Sequence, residues 1–109
     1  MNVRFADRAI RCRVTPDELQ QLLTGRAIAL ELCLPRDRRF RVNLRPSALQ
    51  TWQLDSDPTG IWVSIPRAEL EAFAQTVPSK QGIEHTFETT QESVTVTFEV
   101  DLKRSQAKA

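Results

Sequence analysis

Apolar and polar positions alternate along most of this chain with a period of two. Val3 and Phe5 flank Arg4, and Ile10, Cys12 and Val14 are separated by Arg11 and Arg13, the pattern of half-buried strands. The short polar link Ala6-Asp7-Arg8-Ala9 predicts a hairpin turn between them. The period then changes. Thr15-Pro16-Asp17-Glu18 sets a capping threonine, a proline at the first helical position and a glutamate three residues after the cap. Those side chains satisfy the amides that a helix start leaves open. Leu19, Leu22 and Leu23 supply the apolar stripe, and Gly25 the stop.

Two further strands follow. Ile28, Leu30, Leu32 and Leu34 form one apolar row, and Phe40, Val42 and Leu44 form another, alternating with Arg39, Arg41, Asn43 and Arg45. Pro35 to Arg38 reads as the turn between them, and Pro46-Ser47 as the end of the second strand. Leu49 to Leu54 is a weaker strand, and Asp55-Ser56-Asp57-Pro58-Thr59-Gly60 reads as a turn. Ile61, Val63 and Ile65 then begin a second strand-and-helix unit, whose helix carries Leu70, Phe73, Ala74 and Val77 and stops at Pro78. Ile83 to Phe87 and Val94 to Leu102 supply the last two strands.

A shift of 51 residues lays Ile10, Glu18 and Leu19 on Ile61, Glu69 and Leu70. The order strand-strand-helix-strand-strand is thus expected twice. The fold class is α+β, with antiparallel sheet or sheets and two short helices in one domain over residues 1–109. Its pseudo-repeat units fall at about 1–46 and 50–103, with a polar tail at 104–109. A single antiparallel sheet with both helices on one face and no duplication is the alternative. Either arrangement predicts a core containing Ile10, Val14, Leu19, Leu22, Ile61, Ile65, Leu70 and Phe73.

The opening run AIRCRVTPDEL, followed by QQLLTGRAI, resembles a family of small bacterial proteins of unknown function. Its members begin with a hairpin rich in Arg and Ile or Leu, followed by a threonine-capped helix and a glycine stop. The likeness covers mainly residues 1–34. It implies a bacterial, cytoplasmic protein and carries no activity, cofactor or site residue with it.

Composition narrows the classes without choosing a function. The chain has 109 residues, 40% of them hydrophobic and 27% charged, enough for one core. No apolar run approaches the ~20 residues of a membrane helix, and the first residues lack a signal-peptide core. Cys12 and Cys33, without a CxxC, are expected to be reduced, buried structural thiols in the cytoplasm.

Catalytic and metal chemistry find little footing. His85 is the sole histidine, and no second donor stands at a ligand spacing around it. None of the serines lies in a nucleophile elbow. Asp55-Ser56-Asp57-Pro58-Thr59 mimics both a phosphotransferase string and the start of a calcium loop. Position twelve of that loop is Pro66, where a bidentate glutamate is required. No catalytic residue, metal ligand or cofactor is expected. Trp52 and Trp62 could stack on single-stranded bases; Trp62 falls on the face opposite Ile61 and Val63, and its burial beneath a helix or in a dimer contact is expected over partial exposure.

Charge is the one anomaly. Residues 1–45 carry ten arginines and five acids, whereas residues 46–109 carry five bases and nine acids. Arg11 and Arg13 share one strand face, as do Arg39, Arg41 and Arg45. If these strands lie in one sheet, the five guanidinium groups form a face suited to a polyanion or an acidic partner. Cross-strand pairing with carboxylates is the simpler fate of an exposed sheet face. The sequence therefore predicts a non-catalytic binding or protein-interaction module, self-association included. The alternative is weak single-stranded nucleic-acid binding through Arg11, Arg13, Arg39, Arg41 and Arg45.

Overall fold

The computed structural model describes residues 1–77 and 81–101. The expected stop at Pro78, the strand residue Leu102 and the tail 104–109 lie outside these. In chain order the elements are β1 (Asn2–Ala6), β2 (Ala9–Val14), α1 (Pro16–Leu23), β3 (Ile28–Leu34), β4 (Arg38–Ser47), β5 (Gln53–Asp57), β6 (Gly60–Pro66), α2 (Arg67–Thr76), β7 (Ile83–Glu88) and β8 (Ser93–Val100). The order strand-strand-helix-strand-strand does occur twice.

Helix α1 begins and ends as its residues dictate. The Glu18 amide donates to Thr15 Oγ1 at 3.1 Å, and the Thr15 amide donates to Glu18 Oε1 at 2.9 Å, closing a capping box. At the other end, the Gly25 amide donates to the Leu22 carbonyl and the Arg26 amide to that of Gln21. This closure needs a left-handed residue after the cap, and Gly25 supplies it at φ +94°. Helix α2 starts after Pro66 with no side-chain cap. Its Glu69 instead accepts from Trp52 Nε1 at 2.7 Å.

The strands form two four-stranded sheets, ordered β1-β2-β8-β7 and β3-β4-β6-β5. Each hairpin is antiparallel, as expected, but β2 pairs with β8 in parallel and so does β4 with β6. The sheets are mixed. Period-two alternation shows which side chains share a face and leaves the neighbouring strand open. Each sheet takes one hairpin from the first half of the chain and one from the second.

The inner rows of both sheets meet in one hydrophobic cluster. Ile10, Cys12 and Val14 stand in register with Val96, Phe98 and Val100, and Leu44 with Val63. Leu19 and Leu22 of α1 and Leu70 and Phe73 of α2 join them, and Phe73 meets Phe98 edge-on at 5.7 Å. Burying such side chains contributes about 1.5–3 kcal/mol each relative to leaving them in water. Of the eight expected core residues, seven are buried and Ile61 is half-buried against the cluster.

Three local expectations change. Asp55, Ser56 and Asp57 belong to β5, and Pro58-Thr59 alone makes the turn. An edge strand facing water needs few apolar residues, so its periodicity is faint. Asp57 Oδ1 accepts from the Thr59 amide and hydroxyl, which holds its carboxyl below the usual range. Cys12 is buried as expected, but Cys33 is exposed. Every residue from Glu31 to Arg39 is exposed, so the far end of the β3–β4 hairpin extends beyond the core. Trp52 is buried, whereas Trp62 lies half-buried, opposite Asn43 and Asp55 in register.

Candidate functional site

The five arginines do not form one face. Arg11 and Arg13 lie on β2 in the first sheet, and Arg39, Arg41 and Arg45 on β4 in the second. The parallel register that sets Arg13 beside Glu99 also gives it a partner. Arg13 Nε donates to Glu99 Oε1 at 2.9 Å, and Arg11 Nε stands 3.9 Å from the same oxygen. On the second sheet, Glu31 lies opposite Arg41 and accepts from Arg41 Nε, while Arg39 Nη1 donates to it at 2.6 Å. These two guanidinium groups hold the Glu31 carboxyl below the ordinary carboxylate range. Arg45 Nε donates to Oγ of the buried Ser64 at 2.8 Å.

Two arginines therefore share one carboxylate on each sheet, leaving a net +1 at each cluster. Solvent and salt screen ion pairs of this kind, so they add little to stability. Their effect on the surface is larger than their effect on stability. They replace an open basic face with two clusters on different sheets, each half neutralised by its one carboxylate.

His85 completes an aromatic group. Its ring stacks on Trp52 with centroids 5.8 Å apart and meets Phe87 edge-on at 4.7 Å. Among the described residues, no group of three or more histidines, cysteines, aspartates or glutamates is placed to hold a metal. A cleft of about 350 Å³ is lined by Met1, Asn2, Val3, Arg13, Val14, Thr15, Leu30 and Asp101. Within it, Arg13 is already bound to Glu99.

The feature that periodicity did not reveal is apolar. Leu32 is 49% exposed and Leu34 43%, on the projecting end of β3, with Phe40 half-buried opposite Leu32. Leu30, the next residue of this row toward the core, lines the cleft that Val3 also lines. The alternation from Ile28 to Leu34 is continuous, so nothing in it marks where the core stops covering the row. The one hint in the sequence is that the row runs undiminished to its turn at Pro35.

Fold and surface together define a small α+β protein of two mixed sheets, with arginine rows paired to neighbouring carboxylates and an apolar β3–β4 hairpin end in water. Over residues 1–108 the chain matches the model of DUF7009, a family of unknown function, and it belongs to that family. No curated protein and no solved structure matches it. Among the described residues, no helix is long and apolar enough to cross a membrane.

Proposed function

We propose that this protein is a non-catalytic interaction module of a reducing cytoplasm that binds protein through the projecting end of the β3–β4 hairpin. The exposure of Leu32 and Leu34 carries this reading. Large apolar side chains adjacent on one exposed strand are the usual mark of a contact surface. Two free cysteines, one of them exposed, suit a reducing compartment. The second reading, single-stranded nucleic-acid binding, draws on the same arginines and on half-exposed Trp62. It is weakened because Glu31 and Glu99 already occupy four of the five guanidinium groups.

The test is affinity capture from a nuclease-treated lysate with the wild type and a Leu32→Ser, Leu34→Ser variant, beside titration of a fluorescent oligonucleotide. The module reading expects nuclease-resistant capture that the double variant loses. Oligonucleotide binding that weakens steeply between about 50 and 200 mM salt would overturn it in favour of nucleic acid, since each neutralised phosphate releases counterion. A variant with Arg39, Arg41 and Arg45 all changed to Glu separates the readings further. It sets new carboxylates around Glu31, so the melting temperature is expected to fall. Lost oligonucleotide binding with an unchanged melting temperature would favour the second reading.

A further inference from the structure

We infer that the occupant of the β3 edge is a second copy of this chain, added strand to strand in antiparallel register about a two-fold axis at Glu31; this deepens the interaction-module reading and rests on it. β3 is an edge strand, so among the described residues one side of its backbone has no strand partner. Such edges are ordinarily defended by charge, proline or short length. The other three edges of the molecule follow that rule. β5 has five residues and carries Asp55 and Asp57, β7 carries Glu84 and Glu88, and β1, which also exposes Phe5, has only five residues and carries Arg4. β3 has seven residues with a single charge, Glu31, and that charge is engaged by Arg39 and Arg41 of its own chain.

The strand is also complementary to itself. Ile28-Ala29-Leu30-Glu31-Leu32-Cys33-Leu34 reads nearly the same in either direction. Antiparallel pairing centred on Glu31 sets Ile28 against Leu34, Leu30 against Leu32 and Ala29 against Cys33 across the two-fold. Apolar residues then meet apolar ones and small residues meet small ones, which cross-strand pairing rewards. The centre would place two carboxylates side by side. Each is already flanked by two guanidinium groups from β4, so the four arginines outweigh the repulsion that a bare pair would feel. A shift of one residue would set the leucine row against the polar face, so the side-chain alternation excludes it. The product is one eight-stranded sheet with the leucines of both copies in a continuous row.

The register can be read by cross-linking. Position 29 faces Cys33 of the second copy, whereas within one chain these positions are four strand residues apart, about 13 Å, beyond disulfide reach. Under mild oxidation, Ala29→Cys is expected to give a covalent dimer on a non-reducing gel. Light scattering across a concentration series should show the wild-type mass rising from 12.4 kDa towards twice that value. Leu32→Lys with Leu34→Lys, both at exposed positions, should hold the mass at one chain with little change in melting temperature. A wild type that stays at one-chain mass throughout overturns self-pairing. If nuclease-resistant capture still depends on Leu32 and Leu34 in that case, the interaction module stands with a different occupant; if it does not, both readings fall. A dimer that persists in the lysine variant, or that Ala29→Cys does not cross-link, overturns this edge or this register.

Discussion

Cys12 and Cys33 have the same side chain and opposite environments. Burial pushes the Cys12 thiol up to about 12, so the nucleophilic thiolate is scarce there at neutral pH. Cys33 stands in water. Iodoacetamide should therefore modify Cys33 in the native protein and Cys12 only after unfolding, as peptide mass analysis would show; rapid native labelling of Cys12 would contradict its packing. Glu18 is a second residue governed by its setting. Burial raises its carboxyl, but the Thr15 amide, the ammonium group of Met1 at 2.9 Å and the Thr15 hydroxyl together hold it below the ordinary value. A carboxyl depressed by folding stabilises above its unfolded value of about 4.3 and loses that contribution as pH falls through the folded one. Glu18→Gln keeps the shape of the capping box and removes the charge. It should cost on the order of 1 kcal/mol or less near pH 7, and the difference from wild type should vanish as pH falls through the depressed folded value. A gap in melting temperature that persists in acid would show that charge is not its source.

At the scale of elements, what the sequence disclosed depended on how local each device was. The box at Thr15, the stop at Gly25 and the two apolar helix stripes are complete within a dozen residues, and all were legible. The parallel pairs β2–β8 and β4–β6 join strands through long stretches of chain, and no residue pattern names such a neighbour. For that reason the arginine rows, each correctly placed on its strand, could not be assigned to separate sheets; Glu99 stands with Glu84 and Asp101 among the carboxylates that could pair with them, and Glu31 is not singled out. The parallel junction has a residue-level requirement of its own. At Gly60 an added Cβ would lie 2.3 Å from the Arg41 carbonyl oxygen, a backbone atom that cannot turn aside. Gly60→Ala should therefore push β4 from β6 and cost about 1–3 kcal/mol or more in urea unfolding. An alanine variant as stable as wild type would mean that the two strands are less closely apposed at this point.

Across the whole molecule, correspondence between the halves reaches individual contacts. Met1 precedes β1 and donates to Glu18 at the start of α1, and Trp52 precedes β5 and donates to Glu69 at the start of α2. Each half of the chain then sends one hairpin into each sheet, so both central strand pairs bind first half to second half. Between the halves, residues 48–51 are exposed and lie outside any helix or strand. Cutting there severs a covalent link and leaves the ladders, helices and shared core intact. Segments 1–49 and 50–109, expressed together, are therefore expected to co-purify and melt as one body, while either alone lacks the inner partner of both its sheets. In that sense the chain is a clasp of two interlocking pieces, and a reporter split at this loop would signal only when both pieces are present.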